Sequence, residues 1–268
     1  QWCQPGVKDW VRFRDGFRMD RIYSQMGYVF AKHIFGIKGS YAVDPQKGAV
    51  VMTLTTQGDV PIHYTLDGSE PTAASPRYTG PVEIGKSARF RATALREGGE
   101  NASYSREFAF SKSTGRPAVL NTKPNDSYTF EGASLLVDGY HSRPVFTSGA
   151  WLGYLDEPLD VTIDMGGEQS YRSVELETLA EKGDWIFPPS SVTVWVSDNG
   201  TDFTEVASVA VPEAKAGDAD GIGRYRMQFP ETSARYLKVV AQNAAAIPAW
   251  HPGAGSKGFL FVDEVVVE

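Results

Sequence analysis

The chain has 268 residues, 41% hydrophobic and 22% charged, with a formal net charge of −7, and this composition is that of a folded globular protein of about two domains. Its acidic balance argues against nucleic acid and anionic membrane as partners, because both require a concentrated cationic face. One cysteine, Cys3, allows no internal disulfide and no cysteine-based metal site, and no apolar run is long enough to span a membrane.

In chain order, the first element is a helix. Trp10, Phe13, Phe17, Ile22, Tyr23 and Met26 recur near helical spacing, and Gly27 follows where a helix would cap. A single helix cannot bury that much aromatic surface alone, so residues 1–36 are expected to be the remnant of a larger unit. Over 37–112 the texture changes to short β-rich runs, AVVMTLTT, PIHYTL, ARFRATAL and SYSREFAF, broken by turns at Asp67-Gly68 and Gly98-Gly99. That pattern predicts a β-sandwich, and the polar, Pro-containing stretch 113–127 is expected to be a linker.

From 128 to 268 seven strands are predicted, at 157–165, 171–179, 191–197, 203–209, 223–229, 235–242 and 259–267. If successive strands run antiparallel, short turns at 166–170, 198–202 and 230–234 share one end of the sandwich. The long connections 128–156, 180–190, 210–222 and 243–258 share the other. Long loops on a rigid sandwich are where binding surfaces are built. This end collects Trp151, Trp185, Trp250, His141, Arg143, Asn243 and His251. A sugar offers apolar C–H faces and a rim of hydroxyls, so flat aromatic rings with polar forks around them suit it. Each tryptophan equally admits a core role; Trp250, in AIPAWHPGAGSKG, sits in a Gly- and Pro-rich loop where a core role is less natural.

No paired carboxylates, nucleophile elbow or histidine cluster suited to catalysis stands out, and none of these residues is expected to be catalytic. Asp263 and Glu264 are adjacent in FLFVDEVVVE, so strand alternation would point them to opposite faces. Asp138 in LLVDG and Glu264 on the final strand are candidate ligands of a structural Ca²⁺; the alternative is an Asp-Gly turn beside a hydrogen-bonded Glu.

Three stretches carry a family resemblance. YTLDGSEPT and SPRYTGPVEI resemble the C-terminal domain that follows the catalytic barrel in chitobiase and bacterial β-hexosaminidases. LVDG, WLGY, DVTIDMG, IFPPSSVTVWVSDNG, ARYLKVVAQN and PAWHPGAGSKGFLFVDEVVV resemble a discoidin-like domain of the coagulation factor 5/8 type C class, whose sugar-binding members form carbohydrate-binding module family 32. The opening KDWVRFRDGFRMDRIYSQMGYVFAKHIF is similar to the last helix and exit segment of a glycoside hydrolase family 20 barrel.

The resemblance implies a mainly β fragment: a helical remnant, an Ig-like β-sandwich and a discoidin-like jelly roll. The parent would be an exported, periplasmic, outer-membrane or extracellular β-N-acetylhexosaminidase of the Bacteroidetes type. Its Asp-Glu pair for retaining, substrate-assisted hydrolysis has no counterpart in these residues. Implied partners are galactose- or N-acetylhexosamine-containing glycans and an upstream catalytic barrel. The family's calcium loop often places a Thr soon after the Asp-Gly, whereas YHSRPVF follows Asp138-Gly139 here. Two alternatives stay open: purely structural spacer or dimerisation domains, or the accessory region of another exo-glycosidase such as a fucosidase.

Overall fold

The structure, a computed structural model, describes residues 36–56, 60–95 and 101–268. The helix expected over 8–26 and the turn at Gly98-Gly99 lie outside the described residues. Among those described, the fold is mainly β, with short 3₁₀ turns as the helical elements.

The first sandwich is built from β1 (Lys38–Asp44), β2 (Ala49–Thr55), β3 (Ile62–Thr65), β4 (Val82–Ile84), β5 (Ala88–Ala94) and β6 (Ala102–Phe108). They form two antiparallel three-stranded sheets, β1-β2-β4 and β3-β5-β6. Alternation explains the packing: Val50, Met52 and Leu54 of β2 face Phe90 and Ala92 of β5 across one core, with Phe108 closing it. Gly68 turns at a φ of 83°, and Asp67 Oδ1 fixes that turn by accepting from the Ser69 amide at 2.9 Å. Strands β1 and β4 escape the sequence reading. β1 is an edge strand that is exposed at alternate positions, and β4 has only three residues.

The second sandwich contains β7 (Ala118–Leu120), β8 (Leu152–Tyr154), β9 (Leu159–Ala180), β10 (Ser191–Ser197), β11 (Thr204–Ala210), β12 (Gly221–Gln242) and β13 (Leu260–Val267). Their order is β11-β10-β12-β9-β13-β8, with β7 on β9. Two expected turns are corrected here. Residues 166–170 and 230–234 lie inside the continuous strands β9 and β12, because Tyr171, Ser170 and Gln169 pair with Thr232, Ser233 and Ala234 between register shifts. Gly166, with φ of 80°, and the polar residues after it mark a bend rather than a chain reversal. Each long strand thereby serves two layers: β9 pairs with β7 near its start, with β13 near its end, and with β12 along most of its length. Between the layers lie Val161, Ile163, Val174, Leu176, Val194 and Leu237, all fully buried. Burial of each such side chain is worth roughly 1.5–3 kcal/mol.

The expected linker 113–127 is also corrected. β7 joins the second sandwich, and Ser113 is buried with its hydroxyl donating to Val265 O at 2.5 Å. Gly115 donates to Val137 O at 2.8 Å while packing against the first sandwich, where a Cβ would stand 2.4 Å from the Gly48 carbonyl carbon. Ser113, Gly115, Asn121 and Thr122 all hydrogen-bond to the second sandwich, so the stretch is an ordered edge of that domain with its polar face towards water.

Candidate functional site

Three connections interlock at one end of the second sandwich: 181–190, 211–220 and 243–259. The Trp250 indole N–H donates to Ala214 O at 3.0 Å, and the Lys182 ammonium donates to Asp218 O at 2.8 Å and pairs with Asp220. His251 joins the first and third. Its Nε2 donates to Lys182 O at 2.9 Å and its Nδ1 accepts from the Gly253 amide at 3.0 Å, which fixes the Nε2–H tautomer. With both nitrogens bonded to backbone, buried His251 has no polar atom left for a ligand. Its ring is a pillar instead: Trp185, Trp250 and Phe187 meet it edge-on at 5.9, 5.6 and 5.5 Å.

Around that pillar Trp185 is 43% exposed and Trp250 40% exposed. Trp185 sits in left-handed backbone, φ 65°, rare for a bulky residue. The turn imposes it: the Trp185 amide donates to Lys182 O at 3.1 Å, its carbonyl accepts from the Phe259 amide at 2.8 Å, and Glu181 and Ile186 exchange two backbone bonds at 3.1 Å. Its indole lies across Gly253, where a Cβ would come within 2.8 Å of the ring. In the same turn, partial burial and the neighbouring Asp184 raise the pKa of the Glu181 carboxyl.

The remaining expected sugar contacts are placed elsewhere. Trp151 is fully buried with Leu179, Ile186 and Phe261, and its indole N–H donates to Arg143 O at 3.0 Å, so it presents no face to a ligand. Asn243 is a strut, its Nδ2 donating to Tyr154 O at 3.0 Å. His141 contacts Glu177 at 3.0 Å, and Glu177 also accepts from Arg224 at 2.9 Å. The Glu177 hydrogen bond raises the His141 pKa against the opposing effect of burial. Arg143 is exposed but faces a cleft shared with the first sandwich. Phe187 and Gly253 were absent from the sequence reading; the Gly in HPGAG is the only signal that bore on either.

The carboxylates of the candidate calcium site converge on the loop 138–142. Asp138 accepts from the Tyr140 amide at 2.7 Å and the Tyr41 hydroxyl at 3.1 Å, and burial pushes its pKa up to about 7. Glu264 accepts from the Gly139 amide at 3.2 Å, while its Oε2 is buried without a partner. Asp263 accepts from the Ser142 amide at 2.7 Å. The expectation that alternation would separate Asp263 from Glu264 is corrected by a register shift between Val262 and Val265: both are buried and both bond the same loop. Burial raises both pKa values well above the ordinary range, with Asp138 adding to the shift. Among the described residues, no group of three or more His, Cys, Asp or Glu side chains is arranged to hold a metal ion.

Two family models match the chain in the order of its two sandwiches. The family model for the chitobiase/beta-hexosaminidase C-terminal domain matches residues 39–106, and that for the F5/8 type C domain matches 121–257. No curated protein matches the chain. Similar solved structures include chitosan-binding module 1 of a Paenibacillus sp. IK-5 chitosanase/glucanase (17% identity, 59% of this chain, 98% of that one, TM-score 0.39). A family 32 module of Clostridium perfringens, solved with GalNAc-beta-1,3-galactose, has 16% identity over 57% of this chain and 94% of that one, TM-score 0.38. A Streptococcus pneumoniae fucose binding module has 22% identity over 59% of this chain and 94% of that one, TM-score 0.38. Matched by its model over residues 121–257, half of its length, the chain belongs to the F5/8 type C domain family.

Proposed function

We propose that this chain is a non-catalytic carbohydrate-binding region, and that its second sandwich holds a sugar ring against Trp185 and Trp250. The observation that carries this reading is the exposure of two tryptophans around one buried histidine, one of them in a strained backbone conformation. Indole faces stack on the C–H face of a pyranose, and the carboxylates of Glu181 and Asp184 beside Trp185 would accept its hydroxyls. A shallow surface making few contacts gives a Kd of about 0.1–10 mM, which becomes useful when a tether raises the effective concentration. The tethered partner is the upstream barrel of an exported β-N-acetylhexosaminidase, and the ligands are galactose- or N-acetylhexosamine-type glycans. Asp138 and Glu264, with carbonyls of the 138–142 loop, would hold a structural Ca²⁺. The orphaned Glu264 Oε2 in a shell of raised carboxylates fits a hard cation. Such an ion supplies positive charge to the buried cluster.

The test is calorimetric titration of galactose, N-acetylgalactosamine and N-acetylglucosamine into the folded chain and into Trp185→Ala and Trp250→Ala. Each variant should weaken binding by about 1–3 kcal/mol, the scale of a large apolar contact. Unchanged binding in both would leave the spacer reading ahead, which the tightly packed junction at Gly48 and Gly115 favours.

A further inference from the structure

A cleft of about 620 Å³ separates the two sandwiches, walled by residues 39–43 of the edge strand β1 and by the segment 131–150. On the first sandwich, the Arg106 guanidinium lies over two rings, 4.1 Å from the Tyr140 centroid and 4.8 Å from that of Tyr41. Its Nε donates to Tyr104 Oη at 3.1 Å; no carboxylate within salt-bridge distance pairs with it among the described residues. Across the cleft stands Arg143, whose side chain likewise has no ion pair there.

Two carboxylates border the space. Asp138 gives its oxygens to Tyr41 and Tyr140, and Glu131 stands on the lining. A half-buried guanidinium stacked on aromatic rings presents a fixed fork, and a planar oxyanion completes it with two parallel hydrogen bonds. Leu135, Val145 and Ala150 supply apolar wall between these polar groups, and Ser134, Ser148 and Glu131 supply hydroxyl and acceptor positions. The volume suits a ligand of one or two rings.

We infer that this junction cleft is a second ligand site, taking an acidic saccharide whose carboxylate engages Arg106 and Arg143. It is built from both sandwiches and uses neither Trp185 nor Trp250, so it stands or falls independently of the tryptophan surface.

The experiment is a ¹H–¹⁵N NMR titration of the full chain with methyl β-D-glucuronide, methyl β-D-glucoside and acetate. The glucuronide should shift the amides of Tyr41, Arg106, Tyr140 and Arg143, with the other two at least about ten-fold weaker there. Arg106→Met should weaken the glucuronide about ten-fold or more as read at the cleft amides, while Trp185→Ala and Trp250→Ala leave the shifts at those amides unchanged. Should Arg106→Met fail to fold, Arg143→Ser, at an exposed side chain, serves the same purpose with a several-fold loss. Absence of shifts at the cleft, equal binding of the glucoside, equal binding of acetate, or a loss confined to the tryptophan variants would each overturn the assignment.

Discussion

Gly253 lies beneath the indole of Trp185: a Cβ built on it would stand 2.8 Å from the ring's Cη2 and Cζ2. The ring therefore rests on bare backbone whose amide is itself held by His251 Nδ1. Gly253→Ala must displace the indole, and because the ring is partly exposed it has room to move. The expected result is a sugar affinity lowered about three- to ten-fold with little change in thermal midpoint, read by titration calorimetry and melting of the same samples. Equal affinity would mean that Trp185 is not a contact.

Trp185 and Trp151 should respond oppositely to truncation. Trp185 occupies left-handed backbone at a cost of about 1–2 kcal/mol, so Trp185→Gly relieves strain as it removes the ring. Stability should change little while binding is lost. Trp151 is fully buried among Leu179, Ile186 and Phe261, and Trp151→Ala should cost about 3–5 kcal/mol. Denaturant midpoints of the two variants, measured side by side, check the contrast.

Much of the fold is legible in the sequence because period-two alternation is a property of the chain itself: Val192, Val194 and Val196 announce β10, as Phe90, Ala92 and Ala94 announce β5. What is not legible depends on partners distant along the chain. GGEQS reads as a turn, yet its Gln169 and Ser170 pair with strand neighbours some sixty positions away. A bulge after Val262 buries Asp263 and Glu264 together, and no local pattern signals it. The same holds at the candidate site. Trp151, Trp185 and Trp250 are chemically identical in a sequence, and tertiary packing alone decides which ring is buried. Trp250 was distinguishable because its Gly- and Pro-rich loop must run on the surface. Arg106 and Tyr41 were not, since both belong to the other sandwich.

The carboxyl groups of Asp138, Asp263 and Glu264 are buried around the 138–142 loop, where burial and their mutual repulsion raise their pKa values and a cation would reverse the shift. A calcium ion at Asp138 and Glu264 would stabilise the folded state by mass action, by about 2.7 kcal/mol at a hundred-fold excess over Kd. Melting the chain in calcium, in magnesium and in chelator should give the highest midpoint in calcium. Glu264→Gln should abolish the difference. Identical midpoints in calcium and chelator would dismiss the site.

His141 and Glu177 should make stability depend on pH in a defined direction. The Glu177 carboxylate is buried and accepts from both Arg224 and His141, and this hydrogen bond raises the histidine pKa despite the opposing effects of burial and of the Arg224 charge. In the unfolded chain the same imidazole titrates near 6.5, roughly the value of a free histidine. Below that pH both states carry the proton and the stabilisation is fully present. As pH rises through the higher folded value the imidazole loses its charge, and the contribution disappears, following the linkage between bound protons and folding free energy. The comparison is with His141→Gln, which keeps a hydrogen-bond donor but has no charge to lose. Asp138 titrates in the same window and feels the His141 charge, so both proteins are compared in an Asp138→Asn background. Urea midpoints at pH 5.5, 6.5, 7.5 and 8.5 should show the largest advantage of the parent chain at the lowest pH, shrinking towards the highest. A difference that stays constant, or grows with pH, would show that the folded histidine is neutral and that Glu177 is held by Arg224 alone.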